Sequence, residues 1–494
     1  MKNLGSKIAL GAIWMVVMRM SIRFIGLIST LILLRLLAPA DFGLMALVMS
    51  TVATIELLRA FGFELALIQD QDAGPDEYNT VWTMEILMAA GTGLLLILIA
   101  RWAGAYYDDP RLTQLLYIIA GINFLHGFRN IGIVDFRKQL QFDKEFRYNV
   151  SIKVVAFVAT ITSAWFLRSY WALMIGISVG KLSGLVLSYT MHEYRPSFSL
   201  RSLRKLFRFS RWIFFNNMGI VARLRGPDFI IGKMAGTQGL GLYTVAYEIS
   251  NLATTELIAP INRALLPGFA KIAHDAERAR AAFVKAASVM ALFSLPVALG
   301  IAATAPLIGT VVLGEKWLGA VPLIELLAVA GVVTAIASPI TSCLIALGKP
   351  HVVAGLSLFN AVVLLSAVTY MSTLDGVQGA ALGVLLVAGI FLPIYFAVAM
   401  KFLHLRAADM FTILLRPALA AAIMYFVVRQ ILHLTSSDVL NIVLAASIGA
   451  LIFVSIVFLS WRLMPRRGDS AEAFILDRVQ SRLPQRLRKK HQAR

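Results

Sequence analysis

Long apolar stretches separated by short polar segments run through the whole chain. A membrane-spanning helix needs about 20 mostly apolar residues, and fourteen stretches approach or exceed that length. The stretches at 212–232 and 241–265 are the weakest, so twelve spans is the alternative count. The pattern predicts an all-α polytopic membrane protein with about fourteen transmembrane helices. In chain order these cover 11–37, 42–68, 80–100, 113–134, 149–167, 171–190, 212–232, 241–265, 286–312, 318–346, 352–371, 377–400, 411–428 and 439–461.

Lysine and arginine are unevenly distributed among the segments that connect these stretches. Cytoplasmic loops of membrane proteins collect both residues. With the N-terminus placed inside, 29 of the 46 lie in cytoplasmic segments, 6 in outer loops and 11 within predicted spans. We therefore expect both termini to be cytoplasmic, in a multi-pass membrane protein. Most of the net charge of +19 then marks the inner side of the membrane.

Composition narrows the classes of function. The chain is 59% hydrophobic and 15% charged, whereas soluble domains average about 45–50% apolar and 25% charged residues. The longest connections are about twenty residues, which leaves no room for a catalytic or ATPase domain, so we predict that the protein is not an enzyme. The single cysteine, Cys343, excludes an internal disulfide framework and is predicted to be a packing residue.

A short internal repeat divides the chain. The segment 35–46 (RLLAPADFGLMA) recurs after 198 residues at 233–244 (KMAGTQGLGLYT). Six spans separate the copies, and an even number makes the repeat parallel, a common plan in transporters that bind substrate between the repeats. The predicted organisation is a six-helix bundle in 1–198, a linking segment in 199–211, a second six-helix bundle in 212–405, two further helices in 406–461 and a tail in 462–494.

Two basic segments are amphipathic. Residues 199–211 place four apolar side chains on one helical face among Arg and Lys, and the tail 462–494 repeats apolar residues and arginines every four positions. Helices of this kind lie at the membrane surface and are attracted by anionic lipid. No nucleic-acid recognition fold is present to support the other use of basic runs.

Eleven cations lie within the predicted spans, where each costs about 2.5–3.5 kcal/mol near the bilayer centre and should face a cavity or a partner. Arg19 and Arg23 share one face of the first span, because they are four residues apart. Only six acids accompany the eleven cations as partners, and the surplus of positive charge predicts a bound anion. Arginine is well suited to bind phosphate. The cations are Arg19, Arg23, Arg35, Arg59, Arg129, Lys153, Lys181, Arg223, Arg225, Arg263 and Arg416.

The acids allow two interpretations. Glu56 is one turn from Arg59, which favours an ion pair. Glu248 and Glu256 are equally compatible with ion pairing and with carrying a coupling proton, and Asp228 belongs to the same set of candidate acids. We predict no cofactor and no metal site, with coupling to a proton or sodium gradient as the energy source. Glu64 and Glu85 complete the six acids.

Four segments resemble bacterial polysaccharide-biosynthesis flippases (Wzx-type) of the multidrug/oligosaccharidyl-lipid/polysaccharide exporter superfamily. These are 226–278, 37–47 (LAPADFGLMAL), 312–328 (VLGEKWLGAVPLIELLA) and 376–383 (GVQGAALG). The resemblance extends over about residues 1–400 and is greatest for exporters of lipopolysaccharide and exopolysaccharide units.

The resemblance implies both a substrate and an architecture. The substrate would be an oligosaccharide on undecaprenyl diphosphate, moved from the inner to the outer leaflet, with a polysaccharide polymerase complex as a further partner. The architecture would be a V-shaped pair of bundles around a cationic cavity. Related lipid-linked precursor flippases carry essential arginines in spans 1, 2 and 8, which correspond by position to Arg19, Arg23, Arg59 and Arg263. With Lys153, these form the predicted diphosphate site.

Three other functions remain open at this stage. A multidrug exporter of the same superfamily usually carries cationic cargo, which a cationic cavity disfavours. A non-transporting membrane scaffold of a polysaccharide-synthesis complex would use the buried charges only structurally. An integral-membrane glycosyltransferase would need a larger external loop than this chain has.

Overall fold

The computed structural model describes residues 2–57, 63–70, 72–203, 221–272, 274–432 and 435–462. Side chains in these ranges are described except at 2–9, 12, 65–66, 69, 252–264, 266–267, 407–408 and 410–412. Helix is the regular structure of all these segments, and no strand occurs among them. The predicted all-α fold is therefore confirmed. Most of the linking segment, at 204–211, and the tail from 463 onward lie outside the described residues.

The first half of the described chain contains nine helices. Three of the first eight begin at a proline, whose fixed φ and missing N–H suit the first helical turn. The helices are α1 (Lys2–Leu36), α2 (Pro39–Glu56), α3 (Phe63–Gln69), α4 (Pro75–Tyr106), α5 (Pro110–His126), α6 (Asp135–Lys138), α7 (Phe142–Leu167), α8 (Trp171–Met191) and α9 (221–234). A 3₁₀ turn, Ile131–Val134, precedes α6.

Six helices follow. They are α10 (Gly236–Ile272), α11 (Ala276–Leu307), α12 (Val321–Ala346), α13 (Pro350–Leu403), α14 (Ala407–Gln430) and α15 (Asp438–Arg462). A π-helical turn at Ile308–Leu313 and a 3₁₀ turn at Glu315–Ala320 join α11 to α12. Most of the described residues in the fourteen predicted spans are helical; the span 113–134 is interrupted at 127–130, between α5 and the 3₁₀ turn.

Nine stretches of described helix are long and apolar enough to cross a membrane. One of them, α13, has 54 residues and would be about 80 Å long if straight, against about 30 Å of bilayer hydrocarbon. The backbone leaves helical geometry at Asp375 and Gly376, and Gly376 has φ +49°. This break falls between the predicted spans 352–371 and 377–400. The total of fourteen spans stays a prediction.

The chain divides into two compact units, Met1–Thr244 and Val245–Arg494. In the first unit α1 packs along α7, α4 along α5 and α7 along α8. The α7–α8 contact is close because Gly176 and Gly180 lie directly against Thr160 and Ala156, as expected of small residues spaced four apart. In the second unit α11 packs on α12 and α14, and Cys343 lies buried in that core.

The first unit ends at Thr244 because α9 and the start of α10 are packed against α2. A Cβ atom at Gly43 would overlap the Thr237 carbonyl oxygen, and one at Gly241 would overlap the Pro39 carbonyl oxygen. Pro39 and Thr237 are equivalent positions of the repeat, as are Gly43 and Gly241. The two copies therefore contact each other reciprocally, which supports the repeat. The bundle boundaries predicted from sequence, at 198, 212 and 405, stay predictions.

Candidate functional site: a cationic face on α1

The α1–α7 contact positions the predicted cations of the first unit. Successive turns of α7 contact successive turns of α1. The Phe146 ring lies 5.1 Å from the Trp14 ring, centroid to centroid. One turn further along both helices, the Asn149 amide nitrogen lies 3.7 Å from the Met18 sulfur. Lys153 continues this line of α7 residues one turn further on. The packing of apolar and amide side chains thus determines where the lysine meets α1.

Lys153 lies against Gly26 of α1. Its Nζ is 3.9 Å from the position that a Cβ atom at Gly26 would occupy. Arg19, Arg23 and Gly26 are spaced i, i+4 and i+7, so they share one side of α1. The structure therefore brings three of the predicted site residues, Arg19, Arg23 and Lys153, to the same side of this helix. We call these three residues the α1 face.

Within the described ranges, two residues of the α1 face, Arg19 and Lys153, lack an acidic neighbour of the kind that other cations of the first unit have. In the described part of the chain, no carboxylate forms an ion pair with Arg19 or Lys153. Both side chains are half-buried, so they hold positive charge in a partly desolvated position. Such a position favours an anionic ligand, because electrostatic attraction strengthens as water is removed.

Two further cations inside the first unit are neutralised by neighbouring acids. Arg129 forms an ion pair with Glu64 and has its Nη2 3.9 Å from the nearer carboxylate oxygen of Glu85. Lys181 donates a hydrogen bond of 2.6 Å to the Asn123 Oδ1 and lies 3.6 Å from Glu56. We call these two groups the interior pairs.

The interior pairs add a contact that the sequence did not indicate. Glu56 lies 3.6 Å from Lys181 in the described structure. Its expected partner, Arg59, lies within 58–62, outside the described residues, so that pairing stays a prediction. Residue spacing could not indicate this contact, because Glu56 and Lys181 belong to helices far apart in the chain, α2 and α8. The ion pair could have been found only by knowing that α2 and α8 meet.

Asp228 is an ion-pairing acid at the α2–α9 contact. Its carboxylate accepts a hydrogen bond of 2.5 Å from the Ser50 hydroxyl and lies 3.6 Å from the Arg225 guanidinium. The residue is 7% exposed, so these partners offset the cost of burying its charge. Nearby, the Tyr107 hydroxyl donates to the Phe229 carbonyl oxygen at 3.2 Å, which also joins α9 to the end of α4.

The three remaining candidate residues of the site lie on α10, away from the α1 face in the chain. Glu248 is exposed on α10. Arg263 and Glu256 lie on the same helix, but their side chains are outside the described set. Among described residues, no group of three or more His, Cys, Asp or Glu side chains is arranged to hold a metal ion. The roles of Arg263, Glu248 and Glu256 stay predictions.

Comparison with known proteins agrees with this architecture. Residues 32–322 match the family described as polysaccharide biosynthesis protein. The chain is 26% identical over 391 residues to the lipopolysaccharide biosynthesis protein WzxC of Escherichia coli K12, covering 78% of this chain and 79% of WzxC. It is 23% identical over 365 residues to the succinoglycan biosynthesis transport protein ExoT of Rhizobium meliloti, covering 74% of each.

A solved structure with the same fold is that of the lipid II flippase MurJ in an inward closed conformation. The TM-score is 0.67 with 12% identity, over 92% of this chain and 99% of that one. At this identity the likeness concerns the fold alone. With the nine apolar helices, it identifies the chain as a multi-spanning membrane protein with a transporter fold. Because the family match covers more than half of the sequence, the chain belongs to the polysaccharide biosynthesis protein family.

Proposed function

We propose that this protein is a flippase that moves an oligosaccharide linked to undecaprenyl diphosphate from the inner to the outer leaflet of the bacterial inner membrane. Its family membership, the names of its relatives and its transporter fold support a role in the export of polysaccharide units. The observation that carries the proposal is the α1 face, where Arg19, Arg23 and Lys153 share one side of a long apolar helix.

The proposed role of the α1 face is to hold the diphosphate. A guanidinium binds phosphate oxygens in pairs through its planar fork, and an ammonium adds a compact charge that can follow the ligand. Arg59 and Arg263 are proposed to complete the site. Once the diphosphate is bound, the cationic side chains compensate its charge in a partly dehydrated environment, so the headgroup can leave the aqueous phase.

Energy for the cycle is proposed to come from two sources. An inside-negative membrane potential favours outward movement of an anionic headgroup by about 2.3 kcal/mol per charge per 100 mV. A proton or sodium gradient would supply the remainder by alternating access, with Glu248 and Glu256 as the candidate coupling acids. No enzymatic step and no cofactor are part of this proposal.

The proposal also includes membrane orientation and partners. Both termini are placed in the cytoplasm, following the distribution of Lys and Arg. The basic segments 199–211 and 462–494 would then lie on the inner surface and contact anionic lipid. A polysaccharide polymerase complex is the proposed protein partner, because it would use the exported unit.

The direct test is the double variant Arg19→Ala/Arg23→Ala. We expect surface polysaccharide to fall at least tenfold and lipid-linked oligosaccharide to accumulate, with normal amounts of protein in the membrane, because each lost charge-assisted hydrogen bond is worth about 1.5–3 kcal/mol. Arg19→Lys/Arg23→Lys should retain part of the export. Arg101→Ala, which removes an exposed arginine at the end of α4, is the matched control.

Three results would contradict the proposal. Full export by Arg19→Ala/Arg23→Ala at normal protein levels would show that the α1 face does not hold the substrate. Loss of export only when the tail 463–494 is removed would favour a scaffold instead. Loss of resistance to a cationic drug in cells that lack the protein, with normal surface polysaccharide, would favour a multidrug exporter.

A further inference from the structure

The segment that follows α8 lies along the beginning of α4. Residues 192–203, which we call the strap, follow α8 without regular secondary structure up to residue 200 and then form a short turn. Three of its backbone N–H groups donate to side-chain oxygens of α4: Ser197 to Asn79 at 2.8 Å, Ser199 to Thr83 at 3.0 Å and Ser202 to Thr80 at 3.2 Å. The strap is therefore bound through its backbone to a row of polar side chains.

The spacing of this row matches the strap. Two residues of extended chain advance about 6.7 Å, and one helical turn of four residues advances about 6 Å. Ser197 and Ser199 are two residues apart, and their acceptors Asn79 and Thr83 are four residues apart. The N–H groups of both serines therefore reach acceptors that are one turn apart on α4. Helix and strap are thus in register.

Side chains add to these backbone contacts. The Tyr194 hydroxyl donates to the Asn79 Oδ1 at 2.8 Å, so that one amide oxygen receives two hydrogen bonds from the strap. The Phe198 ring lies 4.9 Å from the Trp82 ring, centroid to centroid. At the far end, Arg201 lies 3.7 Å from Asp76. Asn79 is the central acceptor of the contact.

The beginning of the strap is bound separately, to the first residue of α6 and to the 3₁₀ turn before it. The His192 Nε2 lies 3.5 Å from an Asp135 carboxylate oxygen, and Tyr78 donates a short hydrogen bond to the same carboxylate. Burial opposes ionisation of Asp135, but hydrogen bonds from His192 and Tyr78 outweigh it and hold the carboxyl pKa below its ordinary value. The His192 ring also fills the space beside Gly132, where a Cβ atom would collide with it.

We propose that the strap is a permanent part of the first unit and stays bound to α4 throughout the transport cycle. This inference rests on the proposed function. Its consequence concerns the connection between α8 and α9. A free, fully extended segment of twelve residues could bridge about 40 Å. Because the strap is bound to α4, this length is not available to the connection. The connection then begins at residue 203, beside α4, and not at the end of α8.

The test is a disulfide that fixes the strap. Thr83→Cys and Ser199→Cys are introduced with Cys343→Ala, which removes the single native cysteine. Crosslinking is quantified by mass spectrometry, and export is followed in proteoliposomes before oxidation, after oxidation and after reduction. We expect the crosslinked protein to export within twofold of the reduced protein.

The outcomes separate the inference from the function on which it rests. Export that stops on crosslinking and returns on reduction would overturn the inference, because the strap would have to leave α4 during the cycle. Absence of export by the wild-type and the reduced protein alike would contradict the proposed function instead. The Thr83→Cys single variant, treated with the same oxidant, controls for direct effects of oxidation.

A second experiment tests the acceptor. Asn79→Ala removes the oxygen that accepts from both Ser197 and Tyr194, whereas Asn79→Asp keeps two acceptor oxygens. In a Ser197→Cys background without Cys343, we expect Asn79→Ala to raise the rate of thiol labelling about tenfold, because each lost hydrogen bond shifts an opening equilibrium several-fold. Asn79→Asp should label at the parent rate. Equal labelling of all three proteins would show that Asn79 does not hold the strap.

Discussion

The interior pairs and the α1 face place the same kinds of side chain in one compact unit and give them different neighbours. Arg129 and Lys181 each have carboxylates within ion-pairing distance. Arg19 and Lys153 have no carboxylate partner in the described part of the chain. Both groups carry the same sequence signature, a cation within an apolar stretch. The difference lies in which helices bring acids to them.

This difference predicts two roles for the cations, a structural one and a ligand-binding one. A cation paired with an acid compensates a charge that the fold itself has buried, so its removal leaves the acid uncompensated. A half-buried cation without such an acid repels its neighbours and contributes little to stability. Its positive charge is available to a ligand. The comparison therefore predicts that the two groups separate when stability and export are measured in the same variants.

The largest loss of stability is expected from Arg129→Ala. This change leaves Glu64 and Glu85 facing each other without the cation between them. We expect the free energy of unfolding to fall by about 2–4 kcal/mol, near the lower end of values for buried pairs, because these side chains are partly exposed. Thermal unfolding in detergent and the amount of protein in the membrane measure the effect.

The control for this variant restores the charge balance. Arg129→Ala/Glu64→Gln should recover part of the lost stability, since it removes one of the two acids that the substitution left unpaired. A thermal midpoint for Arg129→Ala equal to that of the wild type would remove the distinction between the interior pairs and the α1 face.

A smaller loss is expected from Lys181→Ala. The Lys181–Glu56 contact of 3.6 Å is partly exposed, so we expect a coupling of about 1 kcal/mol. A double-mutant cycle with Glu56→Gln measures this coupling directly. If the two substitutions are additive, Glu56 pairs with another cation, and Arg59 becomes the first candidate.

The sequence predicted the helices better than it predicted these pairs. Hydropathy located apolar parts of the described helices, but these helices extend beyond them in polar turns. The α7 helix begins at Phe142, whereas its predicted span begins at 149, and α11 begins at Ala276 against a predicted 286. The added turns are polar or charged, and an apolar window cannot detect them, although the N-cap Asp275 accepts a hydrogen bond from the Arg278 N–H.

The candidate site could be predicted only in part, for a different reason. The spacing of Arg19 and Arg23 is local, so their shared face follows from helical geometry alone. The position of Lys153 beside Gly26 depends on how α7 packs on α1, and the partner of Glu56 depends on contact between distant helices. The repeat in 35–46 and 233–244 is visible in the sequence, but the reciprocal contact of Gly43 and Gly241 depends on helix packing and could not be predicted from it.

Lys153→Ala should separate export from stability. We expect the free energy of unfolding to change by less than about 1 kcal/mol, because no carboxylate in the described residues loses its partner. Export should fall about tenfold, through loss of one charge that contacts phosphate. Measurement of surface polysaccharide at matched protein levels tests this, with Lys153→Arg as the variant that keeps the charge. A stability loss as large as that of Arg129→Ala would place Lys153 among the structural cations.

The smallest effect is expected from Gly26→Ala, which tests whether position matters in addition to charge. The added Cβ would be 3.9 Å from the Lys153 Nζ, an ordinary van der Waals distance, so the lysine can stay in place. Alanine also favours helix over glycine by up to about 1 kcal/mol, and we expect stability to be equal or slightly higher and export to be unchanged. Gly26→Leu is the contrasting variant, because its larger side chain would occupy the space of the ammonium. Export should then fall as in Lys153→Ala although every cation remains, whereas full export by Gly26→Leu would show that the charge acts without a defined position on α1.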